Sequence, residues 1–560
     1  MIDRKQPWYW LNDNSRKFMS RGYTLEGQTP EERVRQIADY AEKLLKRPGY
    51  ADKLVDYASK GWISFSTPVW ANFGLGRGLP ISCFGSYIAD DMSNIMYTHA
   101  ENGMMSKYGG GTSGYFGALR GRGTEIKNNG SSNGPVHFMQ MFETLIHVVS
   151  QGKVRRGSFS PYLPVEHPDI MEFLEIGTEG NAIQNMTHAV TAGDEWIQSM
   201  VDGDEEKRKV WAKILQRRGE IGYPYILFTG NANKNKPDVY KDKDMKIVAS
   251  NLCSEIMLPS DENNSFVCCL SSMNLLHYDE WKDTDFVEVM VALLDAVITD
   301  FCDRLETLRD SKERADNQAF LFMERAYNFA KNHRALGLGV LGWHSYLQSK
   351  RIPFESEEAG KLNEEIWKNL KEKGEAASKK LAEEFGEPEV LKGYGRRNTT
   401  IFAIAPTTSS AFILGQVSQS IEPVWSNAYV KDVAKLKVTI KNPFLEELLE
   451  EKGKNTKETW SSIRDHDGSV QHLDFLSDED KMVFRTFAEL DQAIVIDQAA
   501  VRQQYIDQGQ SLNIMVPPNV SPKDINQLYL NAWKKGVKAL YYQHSMNAAQ
   551  SHIRQKLQNK

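Results

Sequence analysis

A thiol, an amide and a carboxylate lie two residues apart in the segment Asn251-Leu252-Cys253-Ser254-Glu255. In an extended segment, residues two apart share a face, so these three side chains would project into one small volume. A neighbouring carboxylate raises the pKa of a thiol, which disfavours a thiolate nucleophile. The pattern therefore predicts a thiol that reacts as a hydrogen-atom carrier beside a general base, although an ordinary loop would carry the same residues.

The remaining cysteines are Cys83, Cys268, Cys269 and Cys302. Cys268 and Cys269 are adjacent in a run that predicts a strand, so their side chains face opposite sides and only one can share a cavity with Cys253. Cys302 lies in the apolar run 286–308 and is predicted to be a buried small hydrophobe. Because the chain has no C-x-x-C and no paired Cys/His spacing, we expect no metal site.

Hydroxyl side chains recur at three points that follow predicted strands. These are Ser66-Thr67-Pro68, Ser82-Cys83 and the run Pro406-Thr407-Thr408-Ser409-Ser410. The last run predicts a strand-to-helix turn, whose free backbone N–H groups can bind a phosphate, although an ordinary helix cap has the same composition. A further motif, Tyr541-Tyr542, lies in an apolar strand-like run, where core packing would by itself explain both rings.

The elements that must position these residues alternate along the chain. Helical patterns cover 29–60, 92–107, 137–150 and 356–386, and Thr29-Pro30-Glu31-Glu32 is a helix start signal. Strand-like runs lie at 63–70, 223–228, 265–276, 400–405, 511–516 and 537–542. The alternation predicts an α/β architecture with mainly parallel strands.

Composition excludes several classes of function. The chain of 560 residues is 41% hydrophobic and 25% charged, with a formal net charge of -6, so no global basic field indicates a nucleic-acid polymer as partner. No stretch approaches the roughly 18 apolar residues of a membrane span. The N-terminus lacks the apolar core of a signal peptide, so we expect a cytoplasmic protein.

The motifs, in this order, resemble the catalytic large subunit of class I ribonucleotide reductase, and N-x-C-x-E followed by C-x-L-S-x-x-N-L is highly specific to that family. The resemblance implies that Cys253 is the thiyl radical that abstracts the ribose 3′-hydrogen. Glu255 would take the 3′-hydroxyl proton, with Asn251 hydrogen-bonded in the same cluster. Cys83 and Cys268 would be the reducing dithiol that ends as a disulfide.

The resemblance also assigns the substrate-binding and radical-transfer residues. Thr67, Ser82 and the 406–410 turn, which comprises Pro406, Thr407, Thr408, Ser409 and Ser410, would hold the diphosphate and ribose. Tyr541 and Tyr542 would relay the radical from a separate metal-containing small subunit, which indicates class I. The implied fold is a ten-stranded α/β barrel of two five-stranded halves, with Cys253 on a central finger loop and an N-terminal helical segment.

Regulation and partners follow from the same resemblance. A deoxynucleotide or ATP effector would bind a specificity site at the interface of a homodimer, and a thioredoxin- or glutaredoxin-type reductant would restore the dithiol. Apart from nucleotide effectors, we expect no cofactor on this chain. The effector residues would be Asp90, Asp91, Met92, Arg120 and Lys127, with Gln151 and Arg155 in the loop that passes effector identity to the substrate base.

Two departures from the family pattern concern the ends of the chain. We expect a helical lead-in over 1–60 without an ATP-cone, a catalytic barrel over 61–543 and a polar tail over 544–560. No cysteine follows Cys302, so the chain is truncated or split, or an external reductant reaches the Cys83–Cys268 pair directly. A cobalamin-dependent reductase and a non-catalytic nucleotide-binding paralogue are the competing hypotheses.

Overall fold

A computed structural model describes residues 1–149, 157–433 and 436–545. The helices are α1 (Asp13–Met19), α2 (Pro30–Leu45), α3 (Tyr50–Ser59), α4 (Thr67–Asn72), α5 (Met92–Lys107), α6 (Pro135–Val148), α7 (Ile170–Phe173), α8 (Asp194–Val201), α9 (Glu205–Ile221), α10 (Thr229–Lys234), α11 (Asp238–Asp242), α12 (Tyr278–Trp281), α13 (Phe286–Arg309), α14 (Arg314–His333), α15 (Trp343–Ser349), α16 (Glu357–Phe385), α17 (Thr408–Ile413), α18 (Pro443–Glu451), α19 (Lys457–Asp465), α20 (Asp478–Val483), α21 (Gln492–Gln503) and α22 (Pro522–Lys534). The strands are β1 (Ile63–Phe65), β2 (Cys83–Tyr87), β3 (Gly111–Tyr115), β4 (Phe159–Pro164), β5 (Ala189–Ala192), β6 (Tyr225–Phe228), β7 (Phe266–Asn274), β8 (Leu336–Leu341), β9 (Ala428–Val433), β10 (Leu436–Lys441), β11 (Ile514–Val516), β12 (Ala539–Leu540) and β13 (Gln543–Ser545).

The main sheet consists of two sets of parallel strands that meet at an antiparallel junction. β2, β3, β4, β5 and β6 are parallel neighbours in that order, and β7 pairs in parallel with β8. The N-terminal end of β7 pairs antiparallel with β2, and its C-terminal end pairs antiparallel with β1. Extended segments continue the second set through parallel bridges from Leu338 to Phe402 and from Ile404 to Gln510. The mixed α/β architecture with mainly parallel strands is confirmed.

The helical patterns predicted from sequence are present. The helix at Pro30 begins with a capping box in which Thr29 accepts from the Glu32 amide and Glu32 accepts from the Thr29 amide. Its neighbour α3 is tied to the buried helix α13 by a hydrogen bond from the Tyr50 hydroxyl to the Val289 carbonyl, 2.7 Å. The N-terminal helices therefore share the main hydrophobic core with the sheet and α13.

The run 63–70 is predicted to be a strand that leads into a loop; the strand is confirmed, and the loop is wrong because a helix follows. The strand ends at Phe65, and α4 begins at Thr67 with Pro68 in its first turn. Proline is compatible with the first turn of a helix because the amide it lacks has no intrahelical partner there. The apolar residues Val69 and Trp70 are buried by the helix instead of by a strand.

The strand predicted over 537–542 is interrupted at the tyrosine pair. β12 ends at Leu540 and pairs with β6, whereas β13 begins at Gln543 and pairs with β11. Tyr541 and Tyr542 lie between the two pairings, and the Tyr541 amide donates to the Leu512 carbonyl, 2.9 Å. This break frees the two rings from the opposite-facing geometry of adjacent strand residues.

A smaller hydrophobic cluster lies beside the main core. It comprises the β9–β10 hairpin and helices α18, α19 and α20, packed around Phe444, Trp460 and Phe484. No helix in the described ranges has both the length and the apolar composition needed to cross a lipid bilayer.

Candidate active site

Asn251, Cys253 and Glu255 lie in a tight loop between α11 and β7. The prediction that this segment is extended is wrong, because the Asn251 Oδ1 accepts hydrogen bonds from the amides of Glu255, 3.0 Å, and Ile256, 3.2 Å, and so closes a turn. Ser254 adopts a left-handed conformation at φ 64°. The loop is anchored by the Tyr162 hydroxyl, which donates to the Asn251 carbonyl at 2.7 Å.

The structure brings the predicted thiols and carboxylate together. Cys83 and Cys268 are directly opposed on the antiparallel strands β2 and β7, where paired side chains share a face and their Cβ atoms lie about 5 Å apart. The Asn251 Nδ2 donates to Cys83 Sγ at 3.1 Å, and Cys83 Sγ donates to Glu255 Oε1 at 3.8 Å. Opposed residues on antiparallel strands have Cα atoms about 4.5–5.5 Å apart, which lies within the Cα range of disulfide-bonded cysteines, so Cys83 and Cys268 can form a reversible disulfide.

The adjacent cysteine faces the other side of β7, as predicted. Cys269 Sγ donates to the Leu294 carbonyl of α13 at 3.3 Å and is fully buried. Cys302 is buried in α13, also as predicted. No disulfide joins any of the five cysteines, all of which fall in the described ranges.

Glu255 is held almost completely out of solvent, at 1% exposure. Burial raises the pKa of its carboxyl to about 7, because the charged form loses its hydration. The Ser511 hydroxyl donates to Glu255 Oε2 at 3.0 Å and to the Cys253 carbonyl at 2.6 Å. Burial also raises the pKa of the Cys268 thiol, so this sulfur stays protonated at neutral pH.

The tyrosine pair connects directly to the half-buried Cys253. The Tyr541 hydroxyl donates to Cys253 Sγ at 3.4 Å, and the Tyr541 and Tyr542 rings contact each other with centroids 4.6 Å apart. A third ring, that of Tyr225, lies 4.6 Å from Tyr541 and 5.1 Å from Tyr542. Burial raises the pKa of Tyr542 to about 12.

Ser511 and Tyr225 both contact the predicted site residues, but neither was predicted from the sequence to belong to the site. The same segment as Ser511 also carries Gln508, whose side-chain amide lies 3.8 Å from Cys268 Sγ. Each is a single residue far in sequence from its partners, and no local spacing connects it to them. Only their position on the strand-like segments around the loop reveals the contact.

The hydroxyl residues occupy neighbouring parts of the fold. Thr67 begins α4 directly after β1, and α17, which begins at Thr408, packs against β1. The turn residue Thr407 is left-handed at φ 55°, and its Oγ1 accepts from the Ser420 amide at 2.8 Å. The Ser82 hydroxyl, next to Cys83, is buried without a protein hydrogen-bond partner in the described structure. The turn comprises Pro406, Thr407, Thr408, Ser409 and Ser410, and all five residues are partly exposed.

Four of the predicted effector residues lie together at the start of α5. Asp90 accepts from the Arg120 Nε at 2.8 Å, Asp91 caps the helix by accepting from the Asn94 amide at 2.8 Å, and Met92 is 57% exposed. Lys127 is exposed in the loop that follows Arg120. Gln151 and Arg155 lie outside the described residues.

A cavity of about 240 Å³ opens beside the loop that carries Cys253. It is bordered by Leu252, which precedes Cys253, and by the rings of Tyr541, Tyr542 and Tyr225. The cavity therefore borders neighbours of Cys253 in the described structure, but Cys253, Cys83 and Glu255 are not among its lining residues.

Comparison with known proteins agrees with this geometry. The family model of the ribonucleotide reductase barrel domain matches residues 81–207, 198–390 and 388–543. A Frog virus 3 (isolate Goorha) protein is 38% identical over 515 residues, covering 89% of this chain and 88% of that protein. Its name assigns it as a ribonucleoside-diphosphate reductase large subunit. A ribonucleoside-diphosphate reductase large subunit of Invertebrate iridescent virus 3 is 31% identical over 570 residues, covering 88% of this chain and 87% of that protein.

A solved structure is similar over almost the whole chain. The class Id ribonucleotide reductase alpha subunit of Actinobacillus ureae is 55% identical, with a TM-score of 0.90, and the match covers 98% of this chain and 99% of that one. The fold and the family match thus define a nucleotide-reducing enzyme, and the chain belongs to the ribonucleotide reductase family. Within that family it is a class I large subunit, which converts ribonucleotides to 2′-deoxyribonucleotides with a radical supplied by a separate small subunit.

Proposed function

We propose that Cys253, Glu255, Asn251, Cys83 and Cys268 form the catalytic centre and that the substrate is a ribonucleoside diphosphate. The observation that carries the proposal is the convergence of a strand-paired dithiol and a buried carboxylate on the loop of a half-buried third thiol. In this arrangement one ribose ring can meet all four groups at once. Positioning of that kind is a large part of catalysis in any enzyme.

The first step uses Cys253 and Glu255. The Cys253 thiyl radical takes the hydrogen atom from C3′, so that an S–H bond forms and the carbon becomes the radical. Glu255 accepts the 3′-hydroxyl proton, and its pKa of about 7 places it between base and acid at neutral pH. Asn251 positions Glu255 relative to Cys83, because its side chain accepts from the Glu255 amide and donates to Cys83 Sγ.

The second step uses the dithiol. One of Cys83 and Cys268 gives a proton to the departing 2′-hydroxyl, which leaves as water, and the pair then supplies two electrons and one further proton in closing to a disulfide. Glu255 returns its proton to the 3′ oxygen, and Cys253 returns its hydrogen atom to C3′ and regains the thiyl radical. In sum, one ribonucleotide and two thiols give one deoxyribonucleotide, one disulfide and one water.

Radical delivery is assigned to Tyr541 and Tyr542. The line from Cys253 Sγ through the Tyr541 hydroxyl to the Tyr542 ring supports it, since each step is within contact distance. The metal-containing cofactor that generates the radical belongs to the small subunit. We assign no cofactor to this chain other than nucleotide effectors.

Substrate binding is assigned to Thr67, Ser82 and the 406–410 turn. The unpartnered Ser82 hydroxyl next to Cys83 supports this assignment, because a buried hydroxyl without a partner costs free energy unless a ligand supplies one. Thr407 is left-handed at the start of α17, and α17 packs against β1, which ends just before Thr67. Amides at such a turn bind phosphate oxygens well.

The effector site and the homodimer are assigned to one face. Asp90, Asp91, Met92, Arg120 and Lys127 would bind a deoxynucleotide or ATP, with Gln151 and Arg155 passing the signal to the substrate. The helices around this site carry a patch of exposed apolar side chains, which supports a protein interface. The apolar patch comprises Met92, Met96, Leu321 and Phe322, at 57%, 43%, 53% and 36% exposure.

The reductant and the compartment follow from the dithiol. We propose a thioredoxin- or glutaredoxin-type protein as reductant and a cytoplasmic location, since a disulfide that must be reduced in every cycle requires a reducing compartment. The domain division is likewise proposed as a helical lead-in over 1–60, a catalytic barrel over 61–543 and a polar tail over 544–560.

The experiment is an assay of CDP reduction with the small subunit and a dithiol, using the wild type, Cys253→Ser, Cys268→Ser and Cys269→Ala. The wild type and Cys269→Ala should form dCDP, because the Cys269 sulfur faces Leu294 and not the loop. Cys253→Ser and Cys268→Ser should lose turnover but keep nucleotide binding. Equal activity of Cys268→Ser and Cys269→Ala would refute the assignment, and dCDP formed with adenosylcobalamin alone would refute the small-subunit dependence.

A further inference from the structure

A buried carboxylate lies near the tyrosine pair and is not used by the chemistry described so far. Glu422 is 4% exposed, and its two oxygens accept from the Asn513 Nδ2 at 2.6 Å and the Trp425 Nε1 at 2.7 Å. Asn513 in turn accepts from the Tyr542 amide at 3.1 Å. Both donors are neutral, and burial raises the pKa of the Glu422 carboxyl to about 7.

The indole that contacts Glu422 extends the line of aromatic rings away from Cys253. The Tyr542 and His544 rings are stacked with centroids 5.4 Å apart, and the His544 and Trp425 rings meet edge to face at 4.6 Å. Tyr542, His544 and Trp425 are each partly exposed, whereas Tyr541 is buried. The series therefore runs from the half-buried Cys253 through the buried Tyr541 to three partly exposed rings.

A purely structural role explains these contacts poorly. A glutamine at position 422 would accept the same indole hydrogen bond without the cost of burying a carboxyl group, which is charged in water. A buried carboxyl group that lacks a cationic partner is more typical of a functional site. The group that donates to Glu422 is an indole. Indole and phenol are the side-chain groups that lose an electron most easily.

We propose that Trp425 is a relay residue between the docked small subunit and Tyr542, and that Glu422 is the proton acceptor for its indole. This inference rests on the proposed delivery of the radical through Tyr542. It adds a third oxidisable ring to the path and assigns a proton site to that ring.

The relay step balances with the oxidant that the small subunit supplies. That oxidant takes one electron from Trp425, and the indole N–H proton crosses 2.7 Å to Glu422 Oε2, leaving a neutral indolyl radical. Tyr542 then gives one electron to the indolyl radical, and Glu422 returns the proton to Nε1. The Tyr542 phenolic proton passes to water in the cavity that its ring borders, so the Trp425–Glu422 pair ends as it began.

The test compares Trp425→Phe with Trp425→Tyr in the complete holoenzyme, assayed for CDP reduction. Both substitutions remove the indole N–H, but only tyrosine can be oxidised at the required potential. Trp425→Phe should lower turnover by more than about 100-fold, the size typical of a lost proton-transfer group, and Trp425→Tyr should restore a measurable part of it. Small-subunit affinity and CDP binding should be unchanged in both variants.

A second variant tests the carboxyl group directly. Glu422→Gln keeps the hydrogen bond to the indole but accepts no proton, and it should lower turnover without changing binding. Equal turnover of the wild type and Trp425→Phe, or equal losses in Trp425→Phe and Trp425→Tyr, would overturn the relay. A loss of small-subunit affinity in Trp425→Phe would make the residue a docking contact and would also overturn it.

The outcome is separable from the proposed function. A wild-type holoenzyme that forms no dCDP contradicts the proposed function itself. An active wild type together with an equally active Trp425→Phe contradicts only the relay.

Discussion

The Glu255 carboxyl group, which we propose as the general base, lies in an environment that disfavours its charged form. It is 1% exposed, and hydrogen bonds from Ser511 and from the loop favour its charged form without cancelling the effect of burial. Because its pKa is raised to about 7, the folded protein binds a proton at Glu255 that the unfolded chain releases near pH 4.5. The group therefore costs stability progressively as pH rises from about 4.5 through about 7.

The rate should follow the deprotonated fraction of Glu255. We expect kcat/KM for CDP to rise with pH through a pKa of about 7, because only the carboxylate accepts the 3′-hydroxyl proton. Ser511→Ala should move this pKa upward, since it removes a donor to the charged form. Glu255→Gln should lower kcat by about 100-fold or more and remove this limb of the profile. A profile that is flat between pH 6 and pH 8 in the wild type would contradict the role of Glu255.

At the scale of elements, the pairing of β2 with β7 sets the distance between the two sulfurs of the dithiol. Gly85 lies two residues from Cys83 on β2 and is opposed to Phe266 on β7. A Cβ atom at Gly85 would lie 2.1 Å from the Phe266 ring, so the strands can approach only because position 85 has no side chain. The absence of a side chain at Gly85 thus permits the strand spacing at which Cys83 is opposed to Cys268.

Gly85→Ala should destabilise the protein by about 1–3 kcal/mol, because the methyl group must displace a buried ring or separate the strands. Turnover should fall as well, since the Cys83 and Cys268 sulfurs would no longer meet. The matched control is Gly219→Ala in α9, where nothing lies within 4 Å of the added atom. That change should raise stability by about 0.5–1 kcal/mol. Thermal unfolding should give a lower midpoint temperature for Gly85→Ala and a higher one for Gly219→Ala than for the wild type. A Gly85→Ala variant as stable as the wild type would contradict the argument.

The elements also explain how far the sequence could predict the site. The pattern around Cys253 predicted an extended segment, whereas the segment is a turn, because the Asn251 side chain closes the loop on itself. The chemistry assigned to its three residues stays a prediction. The opposite orientation of Cys268 and Cys269 followed from strand periodicity alone. Their pairing with Cys83 depends on a contact between strands about 180 residues apart, for which sequence supplied only the family resemblance.

Contacts that sequence could not predict are those made by single residues. Ser511 reaches Glu255 across 256 positions, and Glu422 lies next to Asn513 across 91. Neither contact has a local spacing rule, since each depends on how whole segments pack. The tyrosine pair is an intermediate case. The strand-like run was predicted from sequence, but the end of β12 at Leu540 depends on the pairing of β12 and β13 with different strands.

At the scale of the whole molecule, the apolar patch of Met92, Met96, Leu321 and Phe322 lies on the two neighbouring helices α5 and α14. α5 packs against both α14 and α6, and the Tyr97 hydroxyl of α5 donates to the Leu321 carbonyl of α14 at 2.7 Å. The patch borders Asp90 and Arg120, so an interface there would connect effector binding to assembly. A face of this composition is costly to leave in water.

Met96→Glu should weaken the proposed homodimer, because it places a charge in an interface that must exclude water. The control is Met482→Glu, whose side chain is similarly exposed, at 38% against 43%, but lies on α20 in the smaller cluster. Sedimentation velocity with and without dATP should give a dimer for the wild type and for Met482→Glu, and a larger monomer fraction for Met96→Glu. Circular dichroism must show that Met96→Glu is folded, so that monomer formation reports on the interface and not on unfolding. A dimer as stable in Met96→Glu as in Met482→Glu would move the interface away from α5, and with it the argument that the effector acts between two subunits.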